Sequence, residues 1–301
     1  MALESNKKRI LFIVNPISGI GSGKKLSRVI SRLKAYSYMD YGIKYTDYAG
    51  HATTLAKDAV RTGEYTHIIA VGGDGTVNEV GRALYGSDIA FGIISLGSGN
   101  GFARHMGYSI KMKKALKQIL SDIYVHIDMV EMNGSYFLNV SGVGFDAEVA
   151  HEFNRFKMRG LVSYIIAGIK MGFRYVEKEY TITYDGKSIQ RKCFILSFAN
   201  TRQYGNNVNI APHASLTDGL LDICILQRPP FWGMISLLNS FIKSDFSNIK
   251  YYEEIQCKEA RIEGKINKAH IDGDAINIDA PIHLKVHKGA LKVILPRIER
   301  L

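Results

Sequence analysis

A chain of 301 residues, 46% of them hydrophobic, has enough apolar material for one or two domains with an ample core, and this composition excludes a disordered polypeptide. Its formal charge of +11 calls for acidic partners, whether nucleotide phosphates, nucleic acid or an anionic membrane surface, without choosing among them. Cys193, Cys224 and Cys257 are far apart and lack CxxC spacing, which argues against a disulfide scaffold or thiolate metal site and for reduced, mostly buried thiols in a cytoplasmic protein.

The N-terminal stretch MALESNKKRILFIV has a five-residue apolar run before Asn15 and Pro16, too short for the hydrophobic region of a signal peptide. Residues 9–14 read as a first buried strand, followed by the glycine-rich, basic loop NPISGIGSGKK at 15–25 and an amphipathic helix to about residue 36. The loop fails as a Walker A motif, since Ser18 replaces the first Gly and Lys25 the Ser/Thr after Gly23-Lys24. It remains either an anion-facing turn at the carboxyl edge of a parallel sheet or a plain surface loop. Residues 43–48 make the next strand, ending near Thr46, and 51–61 a helix.

The run HIIAVGGDGTVNEV, residues 67–80, organises the chain. Four apolar residues at 68–71 fit a buried parallel strand; Gly72, Gly73 and Gly75 let backbone approach a ligand, and a helix can start at Thr76. Exposed N–H groups and the helix dipole favour an anion there. Asp74 cannot itself bind phosphate, so its carboxylate reads as serving a Mg²⁺ ion, directly or through water, or a substrate hydroxyl. The competing structural reading is an ordinary strand-to-helix turn with Asp as N-cap. Residues 90–95 are another strand and open into LGSGNGFARHMG, a third glycine-rich turn. Three such turns at one sheet edge converge on one crevice, which suits phosphoryl transfer.

After a helix at 112–121, alternation and hairpin signals dominate. IDMVEMNGSYFLNV turns at Asn133-Gly134, YTITYDGKSIQRKCFILSF turns at Asp185-Gly186, and 262–295 reads as short alternating strands. The division is an α/β domain at 1–127 and a β-rich domain at 128–301, with the last strand free to return to the first domain. A helix from 151 to about 175 interrupts the second domain. Phe153, Phe156, Leu161, Tyr164, Ile165 and Ile169 recur at helical spacing beside Arg155, Lys157, Arg159, Lys170 and Arg174, so this helix either packs on its own domain or faces an anionic membrane. His151-Glu152 opens like a zinc-protease helix, but Arg155 stands where the second His belongs. The apolar stretch at 231–242 falls short of the roughly twenty residues that span a bilayer.

Together, NPISG at 15–19, Thr46 ahead of GHA at 50–52, GGDGTVNEV at 72–80, LGSGNGFAR at 96–104, VGFDAEV at 143–149, APHASLTDGLLD at 211–222 and IDGD at 271–274 resemble the diacylglycerol kinase catalytic-domain superfamily. That superfamily includes bacterial diacylglycerol and related lipid kinases, sphingosine kinases and ceramide kinases. GGDGT alone is also shared by NAD kinases and, more loosely, phosphofructokinases; the ordered set, spread over nearly the whole chain, is much more specific. The resemblance implies an α/β N-terminal nucleotide-binding domain with a parallel sheet, a C-terminal β-sandwich domain, and ATP in the cleft between them. It implies that Asn15, Ser18, Thr46, Gly72, Gly73, Asp74, Gly75, Thr76, Asn78 and Ser98 contact ATP, with Asn100 nearby. It also implies a structural Mg²⁺ held in a loop of the second domain by Ser215, Asp218 and the backbone carbonyl of Leu220, oxygen donors that suit a hard cation. Read without the family, Asp218-Gly219 is a simple turn.

One motif departs from the family. Members usually read DGE, the glutamate accepting the proton of the lipid hydroxyl; here Asp274 stands at that position, a carboxylate one methylene shorter in reach. Asp272 is a candidate to share the role and Asp74 is a second candidate, while Asp272-Gly273 is also a good hairpin turn. The implied reaction is transfer of the γ-phosphoryl group of ATP to a lipid hydroxyl, deprotonated by Asp274, with Mg²⁺ and backbone N–H groups spreading the charge. Diacylglycerol is the family default, yet GSGN at 97–100 is closer to sphingosine-kinase forms. Asp146 or Glu148 could face the amine of a long-chain base, or either is a solvated loop residue. The expected protein is cytoplasmic and peripherally membrane-associated, with a membrane lipid and no nucleic acid as partner; a homodimer is left open. The competing readings are a soluble NAD-type kinase and a non-catalytic nucleotide- or membrane-binding homologue.

Overall fold

Six residues, RILFIV, five of them wholly buried, form strand β1 (Arg9–Val14) at the centre of a parallel sheet in a computed structural model of the chain. The structure describes residues 8–21, 25–33, 36, 39–97, 99–156, 175–205, 208–228, 230 and 249–296. It divides into one unit of Met1–Ile127 with Ala290–Leu301 and a second of Asp128–Gly289.

In the first unit β1 is followed by two short helices, α1 (Ser18–Gly21) and α2 (Leu26–Ser31), where the sequence suggested one helix. Then come β2 (Asp40–Tyr45), α3 (His51–Thr62), β3 (His67–Gly72), α4 (Asp74–Ala83), β4 (Ala90–Ser95), α5 (Gly101–His105) and α6 (Met112–Gln118). The strands run parallel in the order β2-β1-β3-β4, and β3 and β4 are buried along their whole length, as continuous apolar strands between helices should be. β2 begins at Asp40 rather than residue 43; it is an exposed edge strand whose own residues carry little hydrophobic pattern. α4 starts at Asp74, two residues before the expected Thr76, because extended Gly73 is already its N-cap and Val77 N–H donates to Gly73 O at 3.1 Å. The register sets Val14 opposite both Tyr45 and Val71, and Gly72 opposite Ser95, so all four strands end at one level. Chain order reverses between β1 and β3, the switch point at which open α/β sheets bind ligands.

β5 (Tyr124–Met132) leads into the second unit, followed by β6 (Ser135–Phe137), β7 (Val140–Gly144) and α7 (Phe145–Phe156). After α7 come β8 (Lys178–Tyr184), β9 (Lys187–Cys193), β10 (Ile195–Ala199), β11 (Gln203–Gly205), β12 (Val208–Asn209), β13 (Leu221–Leu226), β14 (Tyr252–Cys257), β15 (Glu259–Gly264), β16 (Lys268–Ile271), β17 (Asp274–Asn277) and β18 (Ile282–Ile294). One antiparallel sheet runs β14-β13-β10-β7-β16-β17; the other is built on β9, β8, β15 and β18. Phe137, Leu196, Phe198, Ile223, Ile262 and Leu284 lie in the apolar core of this sandwich. The Asx-Gly pairs read as hairpin turns make tight hairpins, with positive φ at both residues: Asn133 47° and Gly134 82°, Asp185 45° and Gly186 78°, Asp272 52° and Gly273 88°.

β18 belongs to both units: Ile282 pairs with Ile262 in the second, and Val293 pairs in parallel with Phe91 of β4 in the first. The helix expected from residue 151 begins at Phe145; its continuation through 157–174, like the apolar stretch at 231–242, lies outside the described residues. Among the described residues no helix is long and apolar enough to cross a membrane.

Candidate active site

The glycine turns of the first unit pack backbone on backbone. A Cβ on Gly72 would run into the side chain of Thr76, and one on Gly97 would lie 2.9 Å from Gly73 Cα and 2.9 Å from Asn100 Oδ1. Gly75 differs: among the described residues a Cβ there meets nothing within 4 Å, so on that side its backbone is open. Glycine is thus required at 72 and 97 by the approach of the two turns, while at 75 it leaves a path for a ligand.

Two carboxylates of α4 fix the neighbouring turns. Asp74 accepts Asn100 N–H and Gly101 N–H, each at 2.9 Å, capping the start of α5. Glu79 accepts Gly50 N–H at 3.0 Å and Ala52 N–H at 3.1 Å, capping the start of α3. Glu79 lies inside the GGDGTVNEV run, and the sequence signal for its role is that α3 starts on Gly50 and so brings no capping side chain of its own. Asn100 is buried, adopts φ 54° and accepts the Ser95 hydroxyl at 2.5 Å.

At the adjoining strand end, Asn15 donates its N–H to Val71 O at 2.9 Å and accepts Ile17 N–H on its side-chain oxygen at 3.1 Å. Ser18 N–H reaches Asn15 O at 3.3 Å, and Thr46 N–H reaches Val14 O at 2.9 Å. The carboxyl edge therefore gathers Asn15, Ser18, Thr46, Gly72, Gly73, Asp74, Gly75, Thr76, Asn78 and Asn100; Ser98 lies outside the described residues. Asn78 is 1% exposed, and neither its Nδ2 nor its Oδ1 has a hydrogen-bond partner among the described residues. A buried, unsatisfied amide is costly, and a polar ligand that pairs with it relieves that cost. The open backbone at Gly75 and the Asn78 amide fit a phosphorylated nucleotide.

A pocket of about 460 Å³ opens at the opposite edge, at the amino ends of β1, β3 and β4, lined by Lys8, Arg9, His67, Asp122, Tyr124 and Lys292 among others. Lys8 Nζ lies 2.8 Å from Asp122 Oδ1, and Lys292 sits 4.7 Å over the Tyr124 ring. Burial, with the two nearby lysines, pushes His67 down to about 4. The glycine turns, and with them the capacity to cradle phosphate, are at the other end of the sheet.

In the second unit Asp272 is committed to its turn. Its Oδ1 accepts Asn139 N–H at 2.8 Å and its Oδ2 accepts Leu138 N–H at 3.1 Å. Asp274, the first residue of β17 opposite Ile271, is the solvent-exposed carboxylate of the motif. Asp146, by contrast, is buried: its Oδ2 accepts the Ser197 hydroxyl at 3.2 Å and lies 3.0 Å from His270 Nε2, and its Oδ1 accepts Ala147 N–H at 2.9 Å. Glu148 pairs with Lys268 at 2.5 Å and Lys178 at 3.8 Å. Both carboxylates are thus engaged internally, and neither is a solvated loop residue. His270 carried no signal in the sequence reading, since its partner Asp146 is 124 residues away.

In the loop before β13, Asp218 Oδ1 accepts Leu220 N–H at 3.0 Å, Ser215 Oγ accepts Thr217 N–H at 3.4 Å, and Gly219 N–H donates to Asp128 at 2.6 Å. Among the described residues no group of three or more His, Cys, Asp and Glu side chains is arranged to hold a metal. The expected set carries one carboxylate, so its fit rests on a hydroxyl, that exposed carboxylate and a carbonyl, all hard oxygen donors. Just beyond, wholly buried Asp222 on β13 neighbours Glu254 on β14; Asp222 Oδ2 and Glu254 Oε1 lack donors among the described residues, and burial pushes Asp222 up to about 7.

This ordered set of turns on a parallel sheet, followed by a β-sandwich, matches known proteins along its length. The diacylglycerol kinase catalytic domain matches residues 9–132, and the YegS C-terminal NAD kinase beta sandwich-like domain matches residues 139–295. A diacylglycerol kinase of Bacillus subtilis (strain 168) is 30% identical over 298 residues, covering 93% of this chain and 97% of that protein. The chain belongs to the diacylglycerol kinase family. A diacylglycerol kinase of Mycobacterium tuberculosis (strain CDC 1551 / Oshkosh) is also 30% identical, over 96% of each chain. A solved chain from Bacillus anthracis str. Sterne, assigned as a diacylglycerol kinase, superposes with a TM-score of 0.80 at 25% identity, covering 97% of this chain and 98% of its own. This family member is accordingly a kinase with an alcohol group as acceptor.

Proposed function

We propose that this kinase transfers the γ-phosphoryl group of ATP to the hydroxyl of diacylglycerol at a membrane surface, with Mg²⁺ as its cation. The observation that carries the ATP reading is the carboxyl edge of the parallel sheet, where Asp74 and Glu79 tie three turns together and the buried Asn78 amide has no hydrogen-bond partner among the described residues. In this reading the backbone of residues 73–76 receives phosphate oxygens at the start of α4, and Asp74 acts by holding the adjoining turn in place. Asp274 accepts the proton of the lipid hydroxyl as its oxygen bonds to the γ-phosphorus and the bond from that phosphorus to the β,γ-bridging oxygen breaks, releasing ADP. Ser215, Asp218 and the Leu220 carbonyl would hold Mg²⁺ in the second unit. When bound, the ion supplies positive charge to a solvent-facing loop.

The engagement of Asp146 and Glu148 removes the carboxylates that motivated a sphingoid base, and so favours the neutral head group of diacylglycerol. The names of the Bacillus subtilis and Mycobacterium tuberculosis relatives point the same way. The charge of +11 supports peripheral attachment to anionic lipid.

The test presents labelled ATP and Mg²⁺ to the protein with vesicles containing diacylglycerol, vesicles containing a sphingoid base, or NAD. Label is expected in the diacylglycerol arm, and Asp274→Asn should lower turnover by about 100-fold or more with ATP binding retained. Phosphorylation of NAD with none of either lipid would overturn the proposal.

A further inference from the structure

Four elements of the second unit meet at one buried polar point beneath the hairpin that carries Asp274. Ser197 on β10, Gly142 on β7 and His270 on β16 stand in one row across the sheet, Gly142 pairing with Ser197 on one side and His270 on the other. The missing side chain in the middle of the row leaves the space that Asp146, from the first turn of α7, fills. A Cβ on Gly142 would lie 2.8 Å from Asp146 Oδ2 and 3.2 Å from His270 Nε2. Asp146, Ser197 and His270 are 5%, 0% and 3% exposed.

The hydrogen bonds define the state of the ring. Gly273 N–H points at His270 Nδ1 from 3.3 Å, so Nδ1 carries the lone pair and Nε2 the proton, which it donates to Asp146 Oδ2 at 3.0 Å. Asp272, on the other side of Gly273, is held by Leu138 and Asn139. Both residues of the tight turn are therefore anchored immediately before Asp274 begins its strand. A buried Asp-His pair is costly to assemble and is weak support for stability, so a role in fixing geometry accounts better for it.

We propose that His270 is a positioning residue for this kinase: its Nδ1 holds the Gly273 N–H and thereby fixes where the Asp274 carboxylate stands, while Asp146 and Ser197 lock the ring. The inference rests on the reading of Asp274 as proton acceptor.

Two isosteres separate the functions of the ring nitrogens. His270→Asn places an oxygen where Nδ1 was and keeps the acceptor for Gly273; His270→Gln places an N–H where Nε2 was and keeps only the contact to Asp146. Lipid phosphorylation, thermal midpoint and hydrogen exchange of the Gly273 amide are measured for both, beside Asp274→Asn. His270→Gln is expected to lose about tenfold or more in kcat with KM for ATP unchanged. Its Gly273 amide should exchange about tenfold faster. His270→Asn, with a similar midpoint, should retain most of the turnover and the slow exchange. Equal losses in both variants that follow their midpoints would overturn the proposal, as would full activity of His270→Gln beside an inactive Asp274→Asn. An Asp274→Asn protein that turns over like wild type would instead remove the proton-acceptor reading, and the inference with it; the exchange data would show whether His270 still holds the turn.

Discussion

Asp74 and Asp272 each sit beside glycine in a motif that invites a chemical role, and each points both oxygens at successive backbone N–H groups distant in sequence. For Asp74 the partners are 26 and 27 residues away; for Asp272 they are 134 and 133. The glycines around Asp74 divide in the same way between structure and ligand. Gly97→Ala forces a Cβ against the Gly73 backbone and should cost about 1–3 kcal/mol of stability, read from a urea midpoint. Gly75→Ala, open on that side, should leave the midpoint within about 1 kcal/mol yet weaken ATP binding by titration. Tight turns at Asn133-Gly134 and Asp185-Gly186 were legible because positive φ is a local demand that Asx-Gly meets by itself. The ties of Asp74, Glu79 and Asp146 were not, because a carboxylate does not reveal in sequence which remote N–H it will receive.

Among the elements, α4 links the others: its first residue caps α5 and its sixth, Glu79, caps α3. Glu79→Ala should therefore destabilise the first unit by about 1–2 kcal/mol, measured by denaturant unfolding, and should loosen the start of α3 in hydrogen exchange. The bounds of β1 and β4 follow from the sequence because apolar runs buried on both sides end abruptly in polar turns. The bounds of β2 do not, since DYGIKY lies half in solvent and burial places little constraint on it. Burial first, and the neighbouring Glu254 carboxylate after it, favour the protonated form of Asp222 on β13. With Asp222 raised to about 7, the folded unit holds a proton that the unfolded chain releases near its ordinary 3.8, so stability is lost as pH rises from about 4 through 7. Asp222→Asn supplies a permanent N–H, and its thermal midpoint should exceed wild type by about 2–4 °C at pH 8 with little difference at pH 5.

For the whole molecule, His67 and Asp222 contribute to stability with opposite signs in acid. His67 in the first unit is held neutral down to about 4, so as pH falls below its ordinary 6.5 the unfolded chain takes up the proton first and this unit loses stability. The second unit, through Asp222, gains over the same range. β18 joins their fates covalently. Leu291, Val293 and Ile294 are wholly buried, Tyr108 donates its hydroxyl to Ile294 O at 2.6 Å, and Gly86 N–H reaches Ala290 O at 2.9 Å. Leu291→Ala should cost about 2–4 kcal/mol, seen as an earlier first transition in guanidinium unfolding.

That same strand inverts the order in which a nascent chain can finish folding. The unit whose residues leave the ribosome first lacks a second neighbour for β4 until the residues around 293 have been made, after nearly all of the sandwich has been synthesised. An apolar strand edge therefore waits through most of translation, and chaperone demand should concentrate there.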